Sequence, residues 1–168
     1  MKSLIIYFSR KDENYGVGKI SKGNTEVIAE YIKKYTGADV FQCVPVNPYP
    51  EDYKACCDKA LDYQKHNARP ELGRYLLDIN DYDVLYIGGP IYWGEYPYEI
   101  YSELDRLDFR GKGIKPFSTH EGSGLGNCIA VLKEKCLGGT VMPGLAIKGS
   151  LVHEDKSEQK VKGWIVNE

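Results

Sequence analysis

Apolar residues fall along the chain in two textures: short unbroken runs, and longer stretches in which they return every three or four positions. Leu4-Ile5-Ile6-Tyr7-Phe8 and Val84-Leu85-Tyr86-Ile87 are unbroken runs, the pattern of strands covered on both faces. Over residues 24–35, Val27, Ile28, Tyr31 and Ile32 share one helical face while Glu26, Glu30, Lys33 and Lys34 point away from it. Gly37 is placed to stop that helix. Residues 38–46 alternate like a strand near a sheet edge, where Pro45 is tolerated. A helix is predicted over 52–66, then a polar lead-in, Asn80-Asp81-Tyr82-Asp83, to the second apolar run. Further helices are predicted over 97–107 and 127–136, with a strand-like run at 114–118 between them. Residues 140–142 and 145–147 read as one last strand broken at Pro143-Gly144, and 153–164 as a weak terminal helix. Strands alternating with helices predict an α/β fold, one domain over 1–168, with a parallel sheet and helices on both faces.

Composition narrows the class without changing that picture. The 168 residues are 42% hydrophobic and 27% charged, which suits one globular domain. A formal charge of −2 argues against a nucleic-acid binder and against a strongly acidic steering surface. No stretch approaches the roughly 18 apolar residues of a membrane span. MKSLIIYFSR lacks the features of a signal peptide, so a cytoplasmic protein is expected. Cys43, Cys56, Cys57, Cys128 and Cys136 are odd in number with no C-x-x-C spacing, and free thiols are expected. Cys128 opens a helix, which permits either a lowered thiol pKa or simple burial. No metal site is expected, because the cysteines and histidines show no ligand spacing.

In a sheet of this kind ligands sit beyond the carboxyl ends of the strands, at the point where strand order reverses. Three loops fall there. The first runs from Ser9-Arg10 to Gly23-Asn24-Thr25 and opens a helix, whose free N–H groups and dipole suit a phosphate. Asn24 or Thr25 acting only as a helix cap is the plain alternative. Residues 11–22 exceed what a tight turn needs; they read as an excursion that turns at Gly16 and Gly18, over or beside the phosphate end or into a subunit contact. The second loop, Gly89-Pro90-Ile91-Tyr92-Trp93-Gly94-Glu95-Tyr96-Pro97, carries three aromatics that suit either a flat ring ligand or a satellite core. Gly94 would let a peptide turn cheaply beside such a ring. The third, Thr119-His120-Glu121-Gly122-Ser123-Gly124-Leu125-Gly126-Asn127, is a small-residue loop before a helix, suited to a ligand's polar edge or to a plain turn. Its G-x-G-x-G spacing and late position do not fit a dinucleotide fingerprint. A phosphate end, ring walls and a polar edge together match flavin mononucleotide (FMN).

The segments YFS (7–9), GNTEVIAEYI (23–32), GGPIYWGEYP (88–97) and PFSTHEGSGLGN (116–127) resemble the flavodoxin-like family over nearly the whole chain. The resemblance implies a three-layer α/β/α sandwich with a five-stranded parallel sheet in order 2-1-3-4-5, and FMN as cofactor. It implies a phosphate held by Ser9, Asn24 and Thr25, with Gly23 giving close approach and Arg10 beside it. Pro90, Ile91, Tyr92, Trp93 and Gly94 would border the flavin ring, with Tyr92 or Trp93 stacked on it. Thr119, His120, Glu121, Gly122 and Gly126 would lie along its other edge, His120 being also a candidate proton donor. The implied function is redox electron transfer with a partner protein or a small-molecule acceptor, as a monomer or homodimer. The alternatives are an NAD(P)H-dependent FMN reductase of quinones or flavins, and a cofactor-free interaction module.

Overall fold

The computed structural model describes residues 1–167. Strand β1 (Ser3–Tyr7) leads through a short antiparallel hairpin, β2 (Asp12–Asn14) and β3 (Gly18–Ile20), into helix α1 (Asn24–Thr36). The chain continues through β4 (Asp39–Gln42), α2 (Tyr53–Lys65), β5 (Val84–Pro90), α3 (Tyr98–Leu104), β6 (Gly113–His120) and α4 (Cys128–Lys135). It closes with β7 (Thr140–Val141), β8 (Leu145–Lys148) and α5 (Asp155–Val166). The main sheet is parallel, in order β4-β1-β5-β6, with β7 and β8 both pairing with β6 as two halves of the last strand. This is the expected order 2-1-3-4-5. The fifth strand breaks at Pro143-Gly144, so six segments stand where five strands were expected, because proline cannot donate to the ladder.

The two-residue period of β1 sorts its side chains onto opposite faces. Leu4, Ile6 and Phe8 join α2, α3 and α4 in one buried cluster, while Ile5 and Tyr7 join α1 and α5 in the other. On the second side Tyr31 Oη donates to Val152 O (3.0 Å), and Lys34 Nζ and Tyr35 Oη both reach Glu158 (2.6 and 2.8 Å). The sheet is therefore covered on both faces, which leaves the strand ends open to a ligand.

Of the second loop's three aromatics, Tyr96 belongs to the core. It is fully buried, and its single hydroxyl proton lies within hydrogen-bond reach of the carbonyls of Ile87 (3.0 Å) and Phe117 (2.8 Å), between β5 and β6 just below the site. Tyr96→Phe removes that shared donor and is expected to cost about 1–3 kcal/mol, read from urea denaturation.

Among the described residues no helix is long and apolar enough to cross a membrane, and no cluster of three His, Cys, Asp or Glu is placed to hold a metal ion.

Candidate functional site

The head of α1 is organised from outside the helix. Neither Asn24 nor Thr25 caps it; Gly23 is the cap residue. The missing acceptor comes from the end of β1, where Ser9 Oγ takes the N–H of Glu26 (3.0 Å), while Gly23 O takes that of Val27 (3.3 Å). The N–H groups of Asn24 and Thr25 are left for an anion, as expected at a helix N-terminus. Close packing demands the glycine, because a Cβ at position 23 would stand 2.1 Å from Ser9 Oγ and 2.8 Å from Arg10 O. Thr25 Oγ1 is hydrogen-bonded to Thr119 Oγ1 (2.7 Å), both side chains buried, which ties the first loop to the third.

The second loop makes a tight turn at Trp93-Gly94, where both residues have positive φ (51° and 88°). Tyr92 and Glu95 exchange backbone hydrogen bonds across it (2.7 and 3.3 Å). A left-handed conformation is ordinary for Gly94 and strained for a tryptophan. Trp93 is held in place by its Nε1–H to Cys57 O (2.9 Å) and by Gln64 Nε2–H to its own carbonyl (3.1 Å). Tyr92 turns inward, edge-on to Phe8 (6.1 Å) and Tyr49 (5.5 Å), whereas Trp93 is half exposed. The Gly94 carbonyl accepts the N–H of Asn127 (2.7 Å) across a contact that only a glycine at 126 allows, since a Cβ there would lie 2.3 Å from that oxygen.

In the third loop, His120 Nδ1 accepts the N–H of Gly122 (2.9 Å), which places the neutral ring's proton on Nε2. Burial holds the His120 pKa below its ordinary value. A titration followed by NMR is expected to give an imidazole pKa under 6.5, and protonation should break the Gly122 bond and shift that amide. Glu121 accepts the N–H of Ser150 (2.6 Å) and packs against the hairpin tip, where a Cβ on Gly16 would meet its Cδ at 3.0 Å.

These loops wall one cavity of about 610 Å³ at the carboxyl ends of β1, β5 and β6. Of the residues expected from sequence, Arg10, Asn24, Thr25, Pro90, Ile91, Tyr92, Trp93, Gly94, Thr119, His120 and Glu121 line it. Ser9, Gly23, Gly122 and Gly126 stand behind the wall and shape it through the contacts just described. Arg10 is buried, and its two terminal nitrogens donate to backbone, to the carbonyls of Pro50 and Glu51 (2.8 Å each) and to that of Glu13, while its Nε is buried with no partner among the described residues. Among the described residues its partners are carbonyls, with no carboxylate among them. Its role is therefore to clamp the hairpin to the segment before α2.

The hairpin and α2 supply a wall with no motif behind it: Asn14, Tyr15, Tyr53, Lys54, Cys56, Cys57, Asp58 and Ala60, joined by Ser123 and Gly149 from the far side. The excursion at 11–22 is thus a β-hairpin that lies over the cavity. Burial pushes the Cys56 thiol up to about 11 against the pull of Arg10, so it stays protonated at neutral pH. Burial likewise pushes Cys128 up to about 12, and the thiol at the start of α4 is an inert core group.

The free amides at α1, the close approach at Gly23 and Gly149, and the aromatic and polar walls form a set that fits FMN. The chain matches the flavodoxin family model over residues 3–168. A search among curated proteins found no match. Among solved structures, a protein of Bacteroides eggerthii taken to be a flavoprotein is 27% identical, with a TM-score of 0.77 over 98% of this chain and 95% of that one. A flavoprotein of Lactobacillus acidophilus, crystallised in complex with FMN, is 26% identical, with a TM-score of 0.67 over 90% of this chain and 95% of its own. Oxidised flavodoxin 2 of Bacillus cereus, 18% identical, shares the fold with a TM-score of 0.59 over 99% and 96% of the two chains. The fold, the loop geometry and the full-length family match agree: the chain belongs to the flavodoxin family.

Proposed function

We propose that the chain binds FMN in the cavity and carries out redox electron transfer. The observation that carries this reading is the convergence of the three strand-end loops on one cavity, with the unpaired amides of Asn24 and Thr25 at its helix end. The FMN complex of the Lactobacillus acidophilus protein supports it. Those amides and the Asn24 side chain would hold the phosphate. A Cβ at position 149 would come within 2.5 Å of Asn24 Nδ2, so glycine there keeps the passage open. Pro90 to Gly94 would border the ring on one side, and Thr119 to Glu121 on the other.

When bound, FMN supplies the redox chemistry, one or two electrons at a time. The chain's residues bind and orient it, and the hairpin keeps water from one side. His120 holds a proton at Nε2 on the wall, positioned to donate a hydrogen bond into the cavity region.

Stepwise chemical reduction of the FMN-loaded protein, followed in the visible spectrum, tests the redox assignment. Reversible bleaching and full reoxidation are expected. Flavin that is released, or fails to reoxidise, on reduction would refute it. A second reading is direct reduction of the flavin by NADPH, and rapid bleaching on mixing with NADPH alone would establish it.

A further inference from the structure

Glu99, in the first turn of α3, is a buried carboxylic acid that the fold does not require and that the FMN site does not touch. Solvent does not reach it. Tyr49 Oη donates to its Oε2 (2.9 Å), while its Oε1 has no hydrogen-bond partner among the described residues. Burying an acid without its full set of partners is costly, and groups held this way collect where a change of charge is put to use.

Two rings separate this acid from the cavity. Tyr49 stands edge-on to Tyr92, with centroids 5.5 Å apart. Tyr92 spans the boundary: the residue lines the cavity, while its hydroxyl is buried with no hydrogen-bond partner among the described residues. That hydroxyl lies in the fields of Cys56, Arg10 and Glu99 together. Glu99 itself is faced by Cys43 from just after β4, by Tyr49, by Cys56 and Lys59 from α2, and by Tyr92, with Glu103 one turn further along α3. Lys59 is the cation nearest to it, sitting over the Tyr49 ring (5.6 Å) and donating to Pro48 O (3.1 Å). Arg10, on the cavity side, has carbonyls for partners and no carboxylate to neutralise it. Burial lifts the Glu99 pKa from 4.5 to about 7. Near neutral pH the acid is therefore poised between its two charge states, where a neighbouring charge alters its protonation most.

We propose that Glu99 is a proton-storing residue for the redox reaction in the cavity, taking up a proton from solvent when electrons arrive there and returning it on reoxidation. The proposal rests on the FMN reading above. Electrons pass from the external donor to the flavin, and a carboxylate oxygen of Glu99 gains one proton from water; no other bond in the chain forms or breaks. The coupling is electrostatic, carried across Tyr49 and Tyr92. Two unit charges about 10 Å apart at an effective dielectric of about 20–40 shift a protonation equilibrium roughly four- to sixteenfold, which raises a half-protonated acid by about 0.3–0.4 proton. Tyr49 is the positioning residue: its hydrogen bond favours the ionised acid and so holds the pKa down against burial.

The test is a count of protons taken up when the FMN-saturated protein is reduced anaerobically by dithionite in weakly buffered solution, read with a pH-indicator dye. Protons released by the dithionite are the same for every variant and cancel in the comparison. At pH 7 the wild type should take up about 0.3 proton per flavin more than Glu99→Gln. The excess should trace a bell against pH and fall away towards pH 5 and pH 9, where the acid keeps one charge state throughout. Tyr49→Phe removes a bond that favours the ionised form, so its bell should move to higher pH. Equal uptake by wild type and Glu99→Gln at every pH, with FMN bound and reduced in both, would overturn the proposal. So would a Tyr49→Phe bell that stays in place, since the titrating group would then be another. A wild-type protein that binds no FMN would overturn the proposed function itself, and this proposal with it.

Discussion

Gly23→Ala is expected to lower FMN affinity by at least about a hundredfold and to destabilise the fold by about 1–3 kcal/mol. The added methyl would stand 2.1 Å from Ser9 Oγ, which cannot simply rotate away because it is the acceptor for Glu26 N–H. Behind it lies the Arg10 carbonyl at 2.8 Å, which is backbone and gives little. Relief therefore requires the first turn of α1 to move away from β1. That motion displaces the amides of Asn24 and Thr25, the groups the phosphate would use. Flavin fluorescence titration reads the affinity and urea denaturation the stability. A variant that is destabilised yet binds FMN normally would show that the head of α1 is not the phosphate site.

The second large effect concerns a group far from any motif. Glu99, in the first turn of α3, is fully buried. Tyr49 Oη donates to its Oε2 (2.9 Å), and Oε1 has no partner among the described residues. Burial pushes its pKa from 4.5 up to about 7, with the Tyr49 bond and Lys59 opposing. Below about pH 4.5 the folded and unfolded chains both hold this proton. Between 4.5 and about 7 only the folded chain holds it, so stability falls as pH rises through that window. Above about 7 the loss is complete, and a shift from 4.5 to about 7 corresponds to about 3 kcal/mol. Glu99→Gln keeps an acceptor for Tyr49 and removes the ionisation. Between pH 5 and pH 8 the variant's stability relative to the wild type should rise by about 2–3 kcal/mol, the cost of the unpaired amide being the same at every pH. Urea unfolding of both proteins at each pH gives the difference; a difference that does not change with pH would mean that Glu99 is ionised in the fold.

Much of this architecture is legible in the sequence because the elements obey simple periods. The unbroken apolar runs at 4–8 and 84–87 are central strands, and the 3.6-residue face of Val27, Ile28 and Ile32 is the buried face of α1. Pro143-Gly144 marks the split edge strand. The loops that flank the cavity follow from strand order alone.

What escaped the sequence depends on tertiary contact. Ser9 serves as the acceptor at α1 from fifteen positions before the helix begins, and no local capping pattern announces it. Arg10 sits where a phosphate ligand was expected, yet it holds three carbonyls, two of them some forty residues on. Glu99 lies in the helix predicted over 97–107 with nothing in YEIYSEL to mark it as buried, but α3 is covered from Glu99 to Leu104. The α2 wall has the same cause: Tyr53 and Cys57 carry no motif, and only the hairpin above them makes their face part of a cavity.

The central claim is that one FMN occupies the cavity at the ends of β1, β5 and β6. Its most direct measurement is the quenching of FMN fluorescence on titration with the flavin-stripped protein. A saturating, one-to-one quench that Gly23→Ala abolishes is the expected result; a wild-type protein that leaves FMN fluorescence unchanged at micromolar concentrations would contradict it.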